Sequence, residues 1–261
     1  MEREAQLRLC DANLCEFFRE LTRRSPGGVV TEDHGVLLFA GPHPSPVLVN
    51  GAMRTDPSLS AEDALRRAAA FFKARGRRFT FWVLGDDGVD FDRAAREVGF
   101  ELVTEVPQMV LDRRLPDRPR PEGVTLRRVE GARGLADFVT VVTEAFEDEA
   151  EFEGMVRSAF VEPRSLVAPH IAGFVAYVDE TPASASMTLV SHGVACINWV
   201  ATRPFARGRG LGDLVTRAAT NAGFDLGARF ASLQASPSGV PVYTKLGYRE
   251  ISRYRWYSPA P

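Results

Sequence analysis

The chain of 261 residues is 45% hydrophobic and 25% charged, the balance of a folded globular protein, and its length allows two domains. Its 32 lysines and arginines face 34 aspartates and glutamates, so the net charge of −2 gives no basis for bulk binding of nucleic acid or an anionic membrane. No apolar run approaches the roughly 18 residues of a membrane span, and the charged start at Met1–Glu4 argues against a secretory signal. Cys10, Cys15 and Cys196 form no metal-like cluster with histidine and are expected to be free thiols in a reducing cytoplasm.

The first half of the chain is predicted to alternate helical and strand-like segments. A helical segment ends at Gly76 and precedes the apolar, strand-like run 80–84. Gly99 marks a similar boundary before the β-prone run 106–111. The stretch 112–123 has three prolines, four arginines and no apolar periodicity, so we predict an extended linker there. The sequence therefore predicts a first domain at 1–111 and a second at 124–261.

The second half is predicted to mix strands and helices around one central strand–turn–helix unit. The strand 195–201 runs into the glycine-rich turn 207–212, and an amphipathic helix with Leu211, Val215 and Ala222 on one face follows. The other predicted elements are a strand at 124–129, helices at 135–146 and 151–160, a hairpin of strands 174–178 and 185–190, a strand at 230–235, a short helix at 240–246 and a β segment at 251–257. This order predicts an α/β (α+β) fold.

The turn 207–212 has the pattern R-x-x-G-x-G and carries most of the functional information. The first N–H groups of a helix have no acceptor inside it, so a strand, a glycine-rich turn and a helix start present several donors to an anion. Glycine lets a phosphate approach without a Cβ in the way. Arg203, Arg207 and Arg209 add positive charge; the alternative for Arg203 and Arg209 is a solvated surface charge, and for the glycines a tight turn without a ligand. The pattern predicts a site for a phosphorylated cofactor.

An internal echo indicates that the two halves are related. The segment Gly76–Phe79 corresponds to Gly227–Phe230, 151 residues later (227 − 76), and a strand-like run follows each. Gly99 corresponds in the same way to Gly247, 148 residues later (247 − 99). The glycine turn has no counterpart, because the offset of 151 leads to 56–61, where Ser60 and Asp63 form an N-cap pattern instead. We therefore predict a phosphate site in the second half only.

The second half resembles the GNAT N-acetyltransferase superfamily at two segments. The first is 200–212, which joins the end of the strand to the R-x-x-G-x-G turn. The second is 242–248, which reads V-Y-T-K-L-G-Y and contains the pattern Y-x-x-x-G-[FY]. Because the first half shares only the weaker echoes, the chain resembles a tandem member of this superfamily with a degenerate N-terminal half. The resemblance implies two GNAT-like domains, each with a mixed, mostly antiparallel central sheet flanked by helices.

The resemblance also implies an acyl-CoA-dependent N-acyltransferase that uses acetyl-CoA as co-substrate and no metal. The turn would hold the pyrophosphate, and the end of the strand would lie along the pantetheine arm, with the N–H of Val200 or Ala201 polarising the thioester carbonyl. Tyr243 occupies the position of a family tyrosine that protonates the departing thiolate; the alternative is a core residue of a short helix. Ser236 stands where the family often has asparagine, and Gly239 where alanine is common. The residues assigned to acetyl-CoA are Val200, Ala201, Thr202, Arg207, Gly208, Arg209, Gly210, Leu211, Gly212 and Ser236.

The base that takes the proton of the attacking amine stays open, because 195–202 contains no carboxylate. The candidates are Glu144, Glu147, Glu149, Glu151, His170 and His192, the alternative for the glutamates being a solvated helix face. The expected partner is an amine-bearing acceptor of unknown class, with no nucleic acid and no membrane, and a homodimer is compatible with the sequence. The rival function is a non-catalytic acyl-CoA-binding sensor or assembly module, which the missing carboxylate and the degenerate first half favour.

Overall fold

The structure is a computed structural model that describes residues 1–46, 48–86, 88–145 and 150–260. The elements up to residue 111 are α1 (Arg3–Arg24), β1 (Val29–Glu32), β2 (Val36–Ala40), β3 (Asn50–Arg54), α2 (Ala61–Lys73), β4 (Thr80–Val83), α3 (Gly88–Val98) and β5 (Phe100–Leu111). The later elements are β6 (Val124–Arg128), α4 (Ala132–Ala145), α5 (Ala150–Ala159), β7 (Val167–Ala168), β8 (Ile171–Val178), β9 (Thr181–Ser191), β10 (Val194–Thr202), α6 (Leu211–Asp225), β11 (Phe230–Gln234), α7 (Val240–Leu246) and β12 (Arg249–Pro259). Within the described ranges, no helix combines the length and the apolar character that a membrane crossing needs.

The chain divides into two compact units. The first comprises Met1–Gln108 together with the C-terminal segment that starts at Ile251, and the second is Met109–Glu250. Most of β12 thus belongs to the first unit, and the last three residues of β5 belong to the second. The domain boundaries predicted from the sequence, 1–111 and 124–261, stay a prediction.

The first unit is a sheet in the order β1-β2-β3-β4-β12-β5 with helices packed on it. The pairs β1–β2, β2–β3 and β4–β12 are antiparallel, and β3–β4 is parallel. Helix α1 is amphipathic, because Leu7, Leu14, Phe18 and Leu21 recur at helical spacing and are all buried. The ring of Phe18 packs edge-on against Trp82 of β4, with centroids 4.8 Å apart. Helices α2 and α3 pack on a further buried cluster of this unit.

The second unit has the strand order β5-β11-β10-β9-β8-β6, of which only the end of β5 belongs to it. The pair β10–β11 is parallel, and β6–β8, β7–β8, β8–β9 and β9–β10 are antiparallel. The hairpin of β8 and β9 turns at Asp179 and Glu180, whose φ angles of 46° and 62° are those of the two-residue turn that matches strand twist. The predicted hairpin and the mixed, mostly antiparallel sheet flanked by helices are confirmed.

The parallel pair β10–β11 decides where the second unit can bind a ligand. Parallel strands end at the same edge of a sheet, and helices α6 and α7 follow β10 and β11 respectively. The start of α6 and the start of α7 are therefore brought to one edge, next to the end of β10. Crevices beyond the carboxyl ends of parallel strands are frequent ligand sites.

The segment 112–123 has no helix or strand, as predicted, but its first part is bound to α6. Leu115 is buried, and its N–H donates to Oδ1 of Asn221 at 2.9 Å while its carbonyl accepts from Nδ2 of Asn221 at 2.9 Å. Nη1 of Arg217 donates to the carbonyl of Pro116 at 2.9 Å. The start of the predicted linker is thus part of the second unit's packing.

The three cysteines are free and buried, which confirms the prediction of free thiols. Burial raises the pKa of Cys15 to about 12 and the pKa of Cys196 to about 11. Both thiols therefore stay protonated at neutral pH, and neither is a ready nucleophile or metal ligand. The cytoplasmic location stays a prediction.

Candidate active site

The site lies where β10 and β11 stop pairing. Parallel hydrogen bonding joins Val194–Cys196 of β10 to Phe230–Ser232 of β11, and in these two fully described strands the pairing does not continue past Cys196. Strand β10 nevertheless runs on to Thr202. Its last residues are therefore bonded to β9 on one edge only. The other edge offers main-chain N–H and C=O groups to an amide-bearing ligand.

A β-bulge interrupts β10 within this free segment. Asn198 pairs with Met187 and Ala201 with Ala185, so Trp199 and Val200 together oppose the single residue Ser186. The bulge takes the main chain of Val200 out of the regular β9 ladder. Such a bulge re-aims backbone and side-chain groups, which is a frequent arrangement beside active sites.

The bulge holds Trp199 in a left-handed backbone conformation with φ 55°. For a bulky residue this conformation costs about 1–2 kcal/mol, so the surroundings must enforce it. The Trp199 ring packs edge-on against Phe160 at 5.2 Å and lies 6.3 Å from Phe152 of α5, between centroids. Val200 instead packs with the buried cluster that includes Ala219 of α6 and Leu246 of α7.

The turn before α6 presents unsatisfied N–H groups to open space. Gly208 and Gly210 have φ of 76° and 75°, and an ideal Cβ at either would meet no atom within 4 Å. Gly210 is the N-cap of α6, and no side chain caps the helix. The first intrahelical bond runs from the N–H of Leu214 to the carbonyl of Gly210 at 3.1 Å, so the N–H groups of the first turn have no helical acceptor. This geometry suits an anion, to which the helix dipole adds.

The arginines of the turn have different surroundings. Arg207 donates from Nη2 to the carbonyl of Ala145 at 2.8 Å and from Nε to that of Thr202 at 3.3 Å, so it ties the end of α4 to the end of β10. Arg203 donates from Nη1 to the carbonyl of Pro182 at 2.7 Å and from Nη2 to the carboxylate of Glu144. Arg203 is therefore an anchored structural residue and not a solvated charge. Arg209 is exposed.

One cavity of about 730 Å³ gathers these groups, a volume within the usual range of small-molecule sites. Arg209 is the one predicted acetyl-CoA residue that does not line it. The predicted residues that line the cavity are Val200, Ala201, Thr202, Arg207, Gly208, Gly210, Leu211, Gly212, Ser236 and Tyr243. The sequence reasoning did not select its other lining residues, which are Ala145, Ala206, Asp213, Ser238, Gly239, Val242 and Lys245.

Tyr243 lies on α7 and reaches the cavity while being only 8% exposed. Burial raises the pKa of Tyr243 to about 12, so its phenol stays protonated throughout the neutral range. Glycine at position 239 has a steric explanation, because a Cβ there would lie 2.7 Å from Cε2 of Tyr243. Oγ of Ser236 accepts from the N–H of Gly239, the N-cap residue of α7, at 3.2 Å. The arrangement offers a proton donor held rigidly at one wall of the cavity.

Of the four glutamates predicted as candidate bases, the structure describes the side chain of Glu144 only. The carboxylate of Glu144 is bound by Nη2 of Arg203, as described above. Glu147 and Glu149 lie outside the described residues, as does the side chain of Glu151. None of the described residues thus offers a predicted glutamate with an unengaged carboxylate at the cavity.

The two candidate histidines lie away from the bulge. His192 is in the turn between β9 and β10, eight residues before Val200, which corresponds to roughly 26 Å along an extended strand. The carbonyl of His170 accepts from the N–H of Val190, and Val190 pairs with Ala195, five residues or roughly 16 Å before Val200. Neither imidazole is therefore close enough to Val200 to take a proton from an amine that reacts beside its main chain.

The chain is similar to known proteins in sequence and in fold. Residues 135–248 match the sequence model of the acetyltransferase (GNAT) family, a range that contains the whole cavity. No curated protein matches the chain.

Solved structures match most of the chain at low identity. A GCN5-related N-acetyltransferase from Kribbella flavida is 19% identical, with 96% of this chain and 95% of that chain covered and a TM-score of 0.75. Another from Sphaerobacter thermophilus is 16% identical over 87% and 81%, with a TM-score of 0.61. A tandem GNAT protein from the clavulanic acid biosynthesis pathway is 13% identical over 95% and 89%, with a TM-score of 0.60. At these identities the likeness concerns the fold, which extends over both units.

Proposed function

We propose, because residues 135–248 match the sequence model of the acetyltransferase (GNAT) family, that the protein is an N-acyltransferase that moves the acetyl group of acetyl-CoA to a primary amine. The observation that carries the proposal is the single cavity that joins the open start of α6, the free edge of β10 and the phenol of Tyr243. These three features serve the three parts of acetyl-CoA: phosphates, pantetheine amides and thioester.

The chain's own groups fit acetyl-CoA. The uncapped N–H groups of α6 and the room above Gly208 and Gly210 suit a pyrophosphate, which a Cβ at either position would crowd. The unpaired edge of β10 from Ile197 to Thr202 suits the two amides of the pantetheine arm, which bond like an added strand. No described group of three His, Cys, Asp or Glu side chains could hold a metal ion.

In the proposed reaction, the neutral amine attacks the thioester carbonyl carbon and forms the new C–N bond. The main-chain N–H of Val200 or Ala201 stabilises the developing oxyanion; such a donor typically contributes about 3–4 kcal/mol. The C–S bond then breaks, and the thiolate of CoA takes the proton of Tyr243. The nitrogen releases its extra proton to water, and Tyr243 recovers its own from solvent. The phenol can act as the donor because it carries its proton at neutral pH.

The proposal predicts turnover, which separates it from the rival function of an acyl-CoA sensor. The purified chain is offered acetyl-CoA with a panel of aliphatic, aromatic, sugar and peptide amines, and release of free thiol is followed. If the protein is an enzyme, it releases CoA with at least one amine, and mass spectrometry detects the matching amide. Tight binding of acetyl-CoA with no amide product from any amine would instead favour the sensor. A failure to bind acetyl-CoA would contradict both functions.

A further inference from the structure

Lys245 is the cavity residue that the proposed reaction has not used. It is one of only two lysines in a chain with 32 lysines and arginines, and the other is Lys73. Lys245 lies in the last turn of α7, is exposed, and lines the cavity. A cation at the wall of a cavity attracts an anion unless other groups already engage it.

The other charges of the cavity are engaged. The lining contains three charged residues, Arg207, Asp213 and Lys245. Arg207 donates to two main-chain carbonyls. The carboxylate of Asp213 accepts from Nη2 of Arg217 at 3.1 Å and from its Nε at 3.2 Å. In the described part of the chain, Lys245 has no hydrogen-bond or ion-pair partner. Lys245 is thus the charged residue of the lining whose side chain no other described residue holds by a hydrogen bond or an ion pair.

The position of Lys245 on α7 separates it from the thioester end. Residues two apart on a helix project about 200° apart, so Lys245 and Tyr243 approach the cavity from different sides of α7. Tyr243 is 8% exposed and deep, whereas Lys245 is exposed at the rim. The phosphates are the charged part of acetyl-CoA, and because burying charge is costly we expect them closer to solvent than the thioester. A flexible ammonium at the rim suits them, since lysine acts on phosphate as a mobile point charge.

We infer that Lys245 binds a phosphate of the acyl-CoA and makes the site selective for CoA over acyl groups carried on unphosphorylated pantetheine. This inference rests on the proposed function. The phosphate is either the pyrophosphate at the start of α6 or the 3′-phosphate of the adenosine, two sources of one chemistry that truncated ligands distinguish.

The first experiment measures the dissociation constants of acetyl-CoA, acetyl-3′-dephospho-CoA and acetyl-pantetheine by calorimetry. Lys245→Ala is expected to weaken acetyl-CoA about tenfold, as loss of one charge-assisted contact would, and Lys245→Arg to restore most of the affinity. If Lys245→Ala loses affinity for acetyl-CoA alone, Lys245 contacts the 3′-phosphate. If it loses affinity equally for acetyl-CoA and acetyl-3′-dephospho-CoA, Lys245 contacts the pyrophosphate. An equal loss for acetyl-pantetheine, or acetyl-CoA affinity unchanged in Lys245→Ala, overturns the inference.

The second experiment uses the unaltered protein and the matched lysine. Both lysines are exposed and both lie in the last turn of a helix, Lys73 in α2 and Lys245 in α7. Reductive methylation is followed by mass spectrometry with and without CoA. CoA is expected to slow modification of Lys245 at least fivefold and to leave Lys73 unchanged. Equal rates at Lys245 with bound CoA overturn the inference, while absence of CoA binding to the unaltered protein overturns the proposed function as well.

Discussion

The two units contain the same strand–turn–helix connection in opposite states. In the second unit the N–H groups of residues 208–212 have no acceptor among the described residues, and Gly208 and Gly210 adopt left-handed conformations that only glycine adopts easily. In the first unit the corresponding turn 56–61 satisfies itself. The N–H of Ser58 donates to Oδ1 of Asp56 at 2.8 Å, and the N–H of Asp63 donates to Oγ of Ser60 at 3.0 Å.

The difference shows that topology alone does not make an anion site. Hydrogen bonds from Ser58 lower the pKa of Asp56, so this carboxylate is ionised and supplies the negative charge that a phosphate would bring. The first unit also lacks a counterpart of Tyr243. The offset of 148 leads from Tyr243 to Ala95, whose methyl side chain cannot donate a proton. We therefore expect the cofactor to bind only in the unit whose turn leaves main-chain donors unsatisfied.

The largest effect is expected at Tyr243, whose counterpart in the first unit is Ala95. Tyr243→Phe keeps the ring and removes the proton donor, so kcat should fall by roughly a hundredfold or more. The dissociation constant of acetyl-CoA should change less than about threefold, since ring packing is retained. Steady-state kinetics with calorimetric binding separates the two. Unchanged kcat would show that Tyr243 is a core residue and not the acid.

A second prediction concerns an acidic residue placed in the turn 207–212, as Asp56 is in the turn 56–61. Gly210→Asp places a carboxylate where the phosphate is expected and should weaken acetyl-CoA about 30-fold, equivalent to about 2 kcal/mol. Gly76→Asp is the matched control, because Gly76 also has positive φ and open space around its Cβ position. Each substitution should destabilise folding by about 1 kcal/mol, but only the first should affect binding. Equal affinities for both variants would contradict an anion cradle at Gly210.

A third prediction concerns the fit between Gly239 and Tyr243, the proposed proton donor. Gly239→Ala forces a Cβ to within 2.7 Å of the Tyr243 ring unless the ring moves. We expect kcat to fall about tenfold, since small displacements of a catalytic group reduce rate strongly. Gly131→Ala is the control, because no atom lies within 4 Å of the Cβ position at Gly131. If both variants keep full activity, the ring position is not critical.

The smallest effect is expected at the glutamate that is paired with Arg203. Glu144 is 43% exposed at its side chain, so its ion pair contributes less than about 1 kcal/mol after solvent screening. Glu144→Gln should therefore keep kcat within about threefold at every pH from 6 to 9. A loss of a hundredfold with a displaced pH profile would identify Glu144 as the general base after all.

Much of the second unit could be predicted because its signals are local. The turn 207–212, the amphipathic stripe of α6 and the hairpin at Asp179–Glu180 depend on residues that are neighbours in the sequence. The partners of β12 could not be predicted in this way. Trp256 of β12 pairs with Trp82 of β4, a choice between distant strands that no local pattern encodes.

The same limit applies to the site. The sequence motifs identified ten of the cavity-lining residues through short patterns. The pairing of Glu144 with Arg203 and the contact of Arg207 with Ala145 connect positions about 60 residues apart, where charge alone suggested solvated surfaces. The position of Lys245 at the cavity could not be predicted, because it depends on the direction in which its side chain leaves α7. Gly239 was visible only as a departure from the family, and the ring of Tyr243 explains it.

We expect the described part of the chain to bind one acetyl-CoA, at the turn 207–212 of the second unit. The most direct measurement is a calorimetric titration of the unaltered chain and of Gly210→Asp with acetyl-CoA. The account predicts one molecule bound per chain, with that binding weakened in the variant. Two molecules per chain, no binding at millimolar concentration, or undiminished binding in Gly210→Asp would contradict it.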